Sequence, residues 1–401
     1  MHTLNYQRFT NLPFLLSIKP QRLREFLEPF RDYLSAKQLH LDQNDLSHKE
    51  FVQKLSEVFA SPDADTPSPL LDALHIVNGL TGRATVDLLF DQIDGLIDTF
   101  QNEDDPFPGD VAIEAFLRDR DRAERMLSHH SAQSRRAFTS FQSQSSSPPK
   151  LVADLATGTR TLTRDLDQWF YRRGCGRGAS AQCNQNDGSL YVFVSHGTPM
   201  RRLDVLEQGL PDSLICRPLK HDVAVFDKLI GELRINAETI PQREIYRRLI
   251  GKHLFGNEEM FPPGEKFTLG PLLEYGEAAL SVAMIEELTS VECHSVKMLL
   301  PGHKPEELTS RRQDVLEVLE QRMKWLARQG YEDIRLTEAK FNLLFASSRR
   351  SRVVTIKPPN VAIYSRDGDS EIVERFLRDR GFITEQDWQP YAIDGAVLAG
   401  S

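Results

Sequence analysis

Residues 186–195 read NDGSLYVFVS, and this stretch decides the fold class. Asn186, Asp187 and Gly188 are residue types that tight hairpin turns favour. The run from Ser189 to Ser195 is rich in the β-branched and aromatic side chains typical of strands. We therefore predict a β-hairpin at this point of the chain.

A second hairpin is predicted around Gly231, between strands Asp222–Phe226 and Glu232–Asn236. The other predicted elements of this region are strands near 290–298, 334–345 and 353–356, and helices near 151–173, 241–254 and 370–380. Sequential hairpins with helices between them favour an α+β fold over a regular βαβ array.

The first third of the sequence predicts helices only. A helix from Pro20 is expected to bend at Pro29, and a second begins at Ser47 and Glu50, which have the spacing of a capping box. Later apolar residues recur at helical spacing up to Leu127. These residues predict a small N-terminal helical bundle.

Charge and composition divide the chain into three parts. Residues 1–130 contain 22 acidic and 13 basic residues, whereas the other 271 contain 36 of each. Residues 131–150 are rich in serine, glutamine and proline, which is typical of linkers, although Ala137 to Phe141 could pair as a short strand. We predict an acidic helical bundle at 1–130, a linker at 131–150 and a larger mixed α/β domain with antiparallel hairpins at 151–401, with a possible sub-boundary near 300.

The composition favours a soluble, cytoplasmic protein. No apolar run approaches the roughly 18 residues that a membrane span needs, so no membrane contact is expected. Four scattered cysteines predict reduced thiols rather than a disulfide framework. Cys175 and Cys183 are separated by seven residues, which is too far for the usual paired ligands of zinc, so we predict no metal and no cofactor.

Four aspartates are the strongest candidate for binding a partner. Asp87, Asp91, Asp94 and Asp98 would lie within roughly 60° of one another on a continuous helix. Such an acidic stripe is suited to a protein partner with a basic surface, although amphipathic helices also need a polar face for solvent.

Two weaker patterns suggest a hydrolase. The run Val192–Gly197 resembles the strand-His-Gly opening of histidine phosphatases, but Ser195 stands where those enzymes have arginine before the histidine. That resemblance implies phosphoryl transfer at His196. Glu338 and Lys340 on a strand resemble the pair in metal-dependent nucleases of the PD-(D/E)xK type. That resemblance implies a divalent metal, with Asp222 or Asp227 brought in from a distant strand.

A glycine-rich segment suggests a third possibility. Arginines at 172, 173 and 177 lie beside Gly174, Gly176 and Gly178, three to eight residues after Trp169. Such a loop is suited to binding phosphate, and rings beside arginines are suited to single-stranded nucleic acid. The residues proposed for that alternative are Trp169, Arg172, Arg173 and Arg177.

The leading hypothesis is a non-enzymatic partner-binding or regulatory protein that acts through the acidic helices and the α+β body. It follows from the segregated charge and from the lack of a complete catalytic motif. The hydrolase and the binding of single-stranded nucleic acid remain the alternatives.

Overall fold

A computed structural model of the protein describes residues 5–42, 47–63, 65–103, 105–133, 135–143, 149–186, 188–207, 210–300, 306–311, 315–331, 334–348, 351–366 and 369–384. The chain forms two compact units. The first consists of Met1–Ala132 together with Leu203–Leu214, and the second of Gln133–Arg202 and Ile215–Ser401. No helix among the described residues is long and apolar enough to cross a membrane.

The first unit is helical apart from its inserted segment. Its helices are α1 (Leu12–Ser17), α2 (Pro20–Leu27), α3 (Arg31–Ala36), α4 (His48–Ala60), α5 (Ser68–Leu80), α6 (Arg83–Gln92), α7 (Leu96–Thr99), α8 (Pro108–Arg118) and α9 (Arg120–Gln133). A short 3₁₀ segment containing Pro29 separates α2 from α3, as predicted. The predicted capping box of Ser47 and Glu50 begins α4. One core extends from Phe9 to Met126.

The second unit contains most of the strands, and the structure as a whole is α+β, as predicted. The strands are β1 (Ala137–Gln142), β2 (Ser180–Asn186), β3 (Ser189–Gly197), β4 (Arg201–Glu207), β5 (Leu210–Cys216), β6 (Leu219–Asp227), β7 (Glu232–Asn236), β8 (Leu288–Leu300), β9 (Glu306–Arg311), β10 (Arg335–Phe345), β11 (Arg352–Lys357) and β12 (Val361–Ile363). The later helices are α10 (Leu155–Arg172), α11 (Ile240–Leu254), α12 (Gly270–Glu274), α13 (Leu316–Arg328) and α14 (Ser370–Asp379).

Ten strands form one antiparallel sheet in the order β2-β3-β6-β7-β1-β12-β11-β10-β8-β9, whereas β4 and β5 form a separate two-stranded sheet. Both predicted hairpins are confirmed, as β2–β3 and β6–β7. Residues 137–142 of the expected linker form β1, which lies between β7 and β12. The sequence analysis missed α1, α12 and α13 and the strands β4, β5, β9 and β12.

The two halves of the large sheet carry their helices on opposite faces. Thr139 faces Ile235, which belongs to the core that α10 and α11 form with strands β2, β3, β6 and β7. Its neighbour Phe138 faces Ala362, which belongs to the core shared by α13, α14 and strands β8 to β12. Because neighbouring residues of a strand point to opposite faces, the two cores lie on opposite sides of the sheet. The helices change from one face of the sheet to the other at β1.

Candidate functional site

His196, at the end of β3, lies inside the second unit. The alternating burial of β3 places it on the buried face with only 1% of its surface exposed. Its Nε2 atom lies 3.1 Å from Oδ2 of Asp222, and its Nδ1 atom lies 2.8 Å from the carbonyl oxygen of Gly197. Both ring nitrogens therefore face acceptor atoms.

Tyr246 and Phe170 enclose His196 and Asp222 from the helical side. The Tyr246 hydroxyl, on α11, donates to Oδ2 of Asp222 at 2.7 Å. The Phe170 ring, on α10, stacks on the imidazole with their centroids 3.9 Å apart. Burial raises the pKa of Tyr246 well above its usual value, and the charge of Asp222 adds to the shift. We call His196, Asp222 and Tyr246 the His196 cluster.

The burial of this cluster bears on the phosphoryl-transfer hypothesis. A histidine can accept a phosphoryl group only if the substrate reaches a ring nitrogen. Both nitrogens of His196 already face protein oxygens, and almost none of the ring is exposed. The geometry therefore favours a structural role, in which the cluster ties β3 and β6 to α11.

The residues proposed for a metal-dependent nuclease are not brought together, so that predicted site is wrong. Four strands lie between β6, which carries Asp222 and Asp227, and β10, which carries Glu338. Five strand spacings of about 4.8 Å place these carboxylates about 24 Å apart across the sheet. Asp227 instead lies 3.6 Å from a guanidinium nitrogen of Arg234.

Lysines surround the carboxylate of Glu338. Its oxygens lie 2.7 Å from Nζ of Lys357, 3.5 Å from Nζ of Lys340 and 3.8 Å from Nζ of Lys297. Burial alone would raise the pKa of Glu338, but these lysines hold it below its usual value. No group of three or more His, Cys, Asp or Glu among the described residues could hold a metal ion. Lys340 therefore belongs to a cluster of cations around one carboxylate.

The glycine-rich loop after α10 holds a carboxylate of its own chain. Oδ1 of Asp167 accepts the backbone N–H of Gly178 at 2.8 Å and that of Ala179 at 3.1 Å. The Arg177 guanidinium donates to Oδ2 at 3.0 Å. Burial would raise the pKa of Asp167, but these bonds hold it below its usual value. Asp167 thus occupies the position expected for a phosphate.

The aromatic residues of this loop are stacked with its arginines. The Arg173 guanidinium lies 3.7 Å from the centre of the Trp169 ring, and that of Arg177 lies 3.9 Å from the centre of the Tyr171 ring. Arg172 is exposed. A base would have to displace a guanidinium to stack on that face of either ring. This arrangement reduces the support for binding single strands through Trp169, Arg172, Arg173 and Arg177.

Replacing Asp167 with alanine should lower the free energy of unfolding of the second unit by about 1–2 kcal/mol, because two backbone N–H groups and a guanidinium lose their acceptor. Urea unfolding followed by tryptophan fluorescence would measure the change. Asp167→Asn keeps one acceptor oxygen and should lose less. An alanine variant as stable as the native chain would show that the carboxylate does not order this loop.

The four aspartates do not form the predicted stripe on one helix. Helix α6 ends at Gln92, Ile93 is extended, and Gly95 adopts a left-handed conformation with φ of 69° before α7 begins. The break buries both Ile93 and Leu96 in the core. All four of the aspartates are nevertheless exposed; they are Asp87, Asp91, Asp94 and Asp98. They form an acidic surface on two short helices and the turn between them.

Exposed apolar side chains lie on and directly beside hairpin β4–β5. In the part of the chain that the structure describes, six of the 18 exposed large apolar side chains lie between residues 200 and 219. Leu206 is 77% exposed, Leu210 is 70% exposed and Ile215 is 67% exposed. The others are Met200, Leu214 and Leu219. Clustered exposure of this kind marks interaction surfaces.

No protein-family model and no curated protein matches this chain. The candidate functional surfaces are therefore assigned from the geometry alone.

Proposed function

We propose that this chain is a non-enzymatic protein that binds a protein partner, with hairpin β4–β5 as its main contact surface. The single observation that carries the proposal is the exposure of Leu206, Leu210 and Ile215 on one two-stranded sheet. Covering one such side chain completely is worth about 1.5–3 kcal/mol. An apolar surface of this kind is suited to a protein rather than to a polyanion.

The acidic surface formed by Asp87, Asp91, Asp94 and Asp98 supplies a second contact in this proposal. Exposed carboxylates attract a basic partner over several ångströms and mainly raise the rate of association. The apolar hairpin would then account for most of the affinity, and the aspartates would select a partner with a basic surface.

Replacing Leu206 and Ile215 together with glutamate should weaken binding of the partner about a hundredfold or more, because two apolar anchors are lost. The partner would be captured from cell extract with the native chain, identified, purified and titrated against both proteins. Circular dichroism would verify that the fold is retained. The matched control replaces Leu229 and Ile240 with glutamate, since these side chains are also exposed, at 55% and 68%. That control should bind normally.

Two results would contradict the proposal. In one, the hairpin variant binds the purified partner as well as the native chain does. In the other, the native chain hydrolyses phosphoesters or nucleic acid with Mg²⁺ or Mn²⁺, and His196→Ala or Lys340→Ala abolishes that activity. A further variant changes the four aspartates to lysine. We expect this variant to associate with the partner more slowly. If its binding is unchanged, the acidic surface is not part of the contact.

A further inference from the structure

Hairpin β4–β5 is a two-stranded sheet, separate from the ten-stranded one. A two-stranded sheet in water is marginally stable unless further strands or a helix pack on it. Leu214 and Ile215 are neighbours on β5, so they point to opposite faces, and both are more than half exposed. Additional strands would stabilise this hairpin.

The two strands differ in their ability to pair with a further strand. Pro211 lies within β5 and has no backbone N–H to donate. Strand β4 contains no proline from Arg201 to Glu207, so every residue retains its donor. Strand β4 therefore offers the better edge for an added strand.

The residues of β4 are complementary to β4 of another copy in one register. In an antiparallel pair centred on Leu203, Arg202 faces Asp204, and Met200, the residue directly before β4, faces Leu206; each of these contacts occurs twice. Because positions 200, 202, 204 and 206 share one face of the strand, apolar pairs flank two opposite-charge pairs on that face. Arg202 and Asp204 are both exposed.

Neighbouring registers lack this match. Centring the pair on Asp204 would bring two carboxylates face to face, which is unfavourable. Shifting the centre by half a residue would place Arg202 opposite Val205 and leave its charge without a partner. A two-fold symmetric contact requires such self-complementarity.

We propose that β4 pairs antiparallel with β4 of a second copy of this chain, centred on Leu203, to form a four-stranded sheet. This inference rests on the proposed function, since it names a second copy of the chain as an occupant of the same hairpin; the acidic surface takes no part in this contact. The two-fold axis passes between the two Leu203 residues. The contact covers Met200 and Leu206 of both copies.

Charge exchange across the pair tests the register. Arg202→Asp places aspartates opposite one another twice, and Asp204→Arg places arginines opposite one another twice. Each variant alone should dimerise about tenfold more weakly or worse. Mixing the two variants should restore a mixed dimer, because every contact again joins opposite charges. The double variant R202D/D204R should restore dimerisation with itself.

Sedimentation velocity across a range of concentrations would measure the dimer fraction of each variant. Arg201→Asp is the matched control, since position 201 faces Val205 in this register, and the mixture of Arg201→Asp with Asp204→Arg should not recover. A native chain that stays monomeric, or charge exchange that fails to restore the dimer, would overturn the inference. If the native chain is monomeric while the change of Leu206 and Ile215 to glutamate abolishes binding of a different protein, the proposed function stands and only this inference fails.

Discussion

Replacing Lys266 with methionine is expected to lower the free energy of unfolding of the second unit by about 3–5 kcal/mol. Nζ of Lys266 lies 2.8 Å from Oε2 of Glu232, and the two residues are 2% and 0% exposed. Without the lysine, the buried carboxylate retains the hydroxyl of Ser140, at 2.5 Å, and the more distant charges of Arg234 and Arg366. Losing the cation in direct contact leaves a buried negative charge that these groups compensate only in part.

Further charges near this pair depend on the same lysine. Burial would raise the pKa of Glu374, but Lys266 and Arg234 lower it to about 2. The Tyr364 hydroxyl donates to Glu374 at 2.8 Å, and burial raises the pKa of Tyr364 far above its usual value. Loss of Lys266 would therefore remove a stabilising positive charge from two carboxylates, those of Glu232 and Glu374.

Urea unfolding followed by tryptophan fluorescence would measure the loss from Lys266→Met. Trp169 and Trp325 lie in the second unit, Trp388 lies outside the described residues, and the sequence has no tryptophan at 1–132 or 203–214, so the signal does not come from the first unit. The exposed pair of Lys324 and Glu320 supplies the control, and Lys324→Met should change stability by less than about 0.5 kcal/mol.

Changing Glu232 to glutamine in the same chain as Lys266→Met should recover much of the loss, because no unpaired charge then remains buried. If Lys266→Met alone unfolds within about 1 kcal/mol of the native chain, the pair does not carry the stability assigned to it here.

Replacing Asp222 with alanine should cost the second unit about 3 kcal/mol, because two buried polar groups lose their acceptor and each is worth about 1–3 kcal/mol. These groups are Nε2 of His196 and the hydroxyl of Tyr246. The same tryptophan-monitored unfolding would measure the loss. Asp222→Asn retains an oxygen for one of the two donors and should lose less than alanine.

A stable Asp222→Ala chain would show that the His196 cluster does not tie β3 and β6 to α11. Such a result would make a functional use of His196 more attractive, because a buried polar cluster that adds no stability needs another explanation. The hydrolysis assay with His196→Ala would then decide between the two roles.

Features with a local cause were predictable from the sequence. The β2–β3 hairpin follows from its turn residues, and α4 begins at its capping box. The end of α6 was not predictable from apolar spacing, because Ile93 continues the spacing of Val86, Leu89 and Phe90 although the helix ends at Gln92. Gly95 was the available signal, since glycine is favoured where φ is positive.

Contacts between distant positions were harder to predict. His196 and Asp222 were both considered as site residues. Tyr246, whose hydroxyl bonds to Asp222, was missed because it lies on a helix that is distant from both in the sequence. Glu232 and Lys266 gave no local pattern, since their pairing depends on how β7 meets the segment after α11. Hairpin β4–β5 was missed because its apolar residues face solvent, which weakens the alternation that predicts a half-buried strand.

The position of β1 has a consequence for synthesis on the ribosome. This strand is made first among those of the large sheet, yet Phe138 pairs with Ala362, roughly 220 positions later. Until β12 emerges, one edge of β1 lacks its partner and can pair with other chains. Closing so long a loop also makes folding slow. Nascent chains that stop before residue 361 should therefore depend on chaperones.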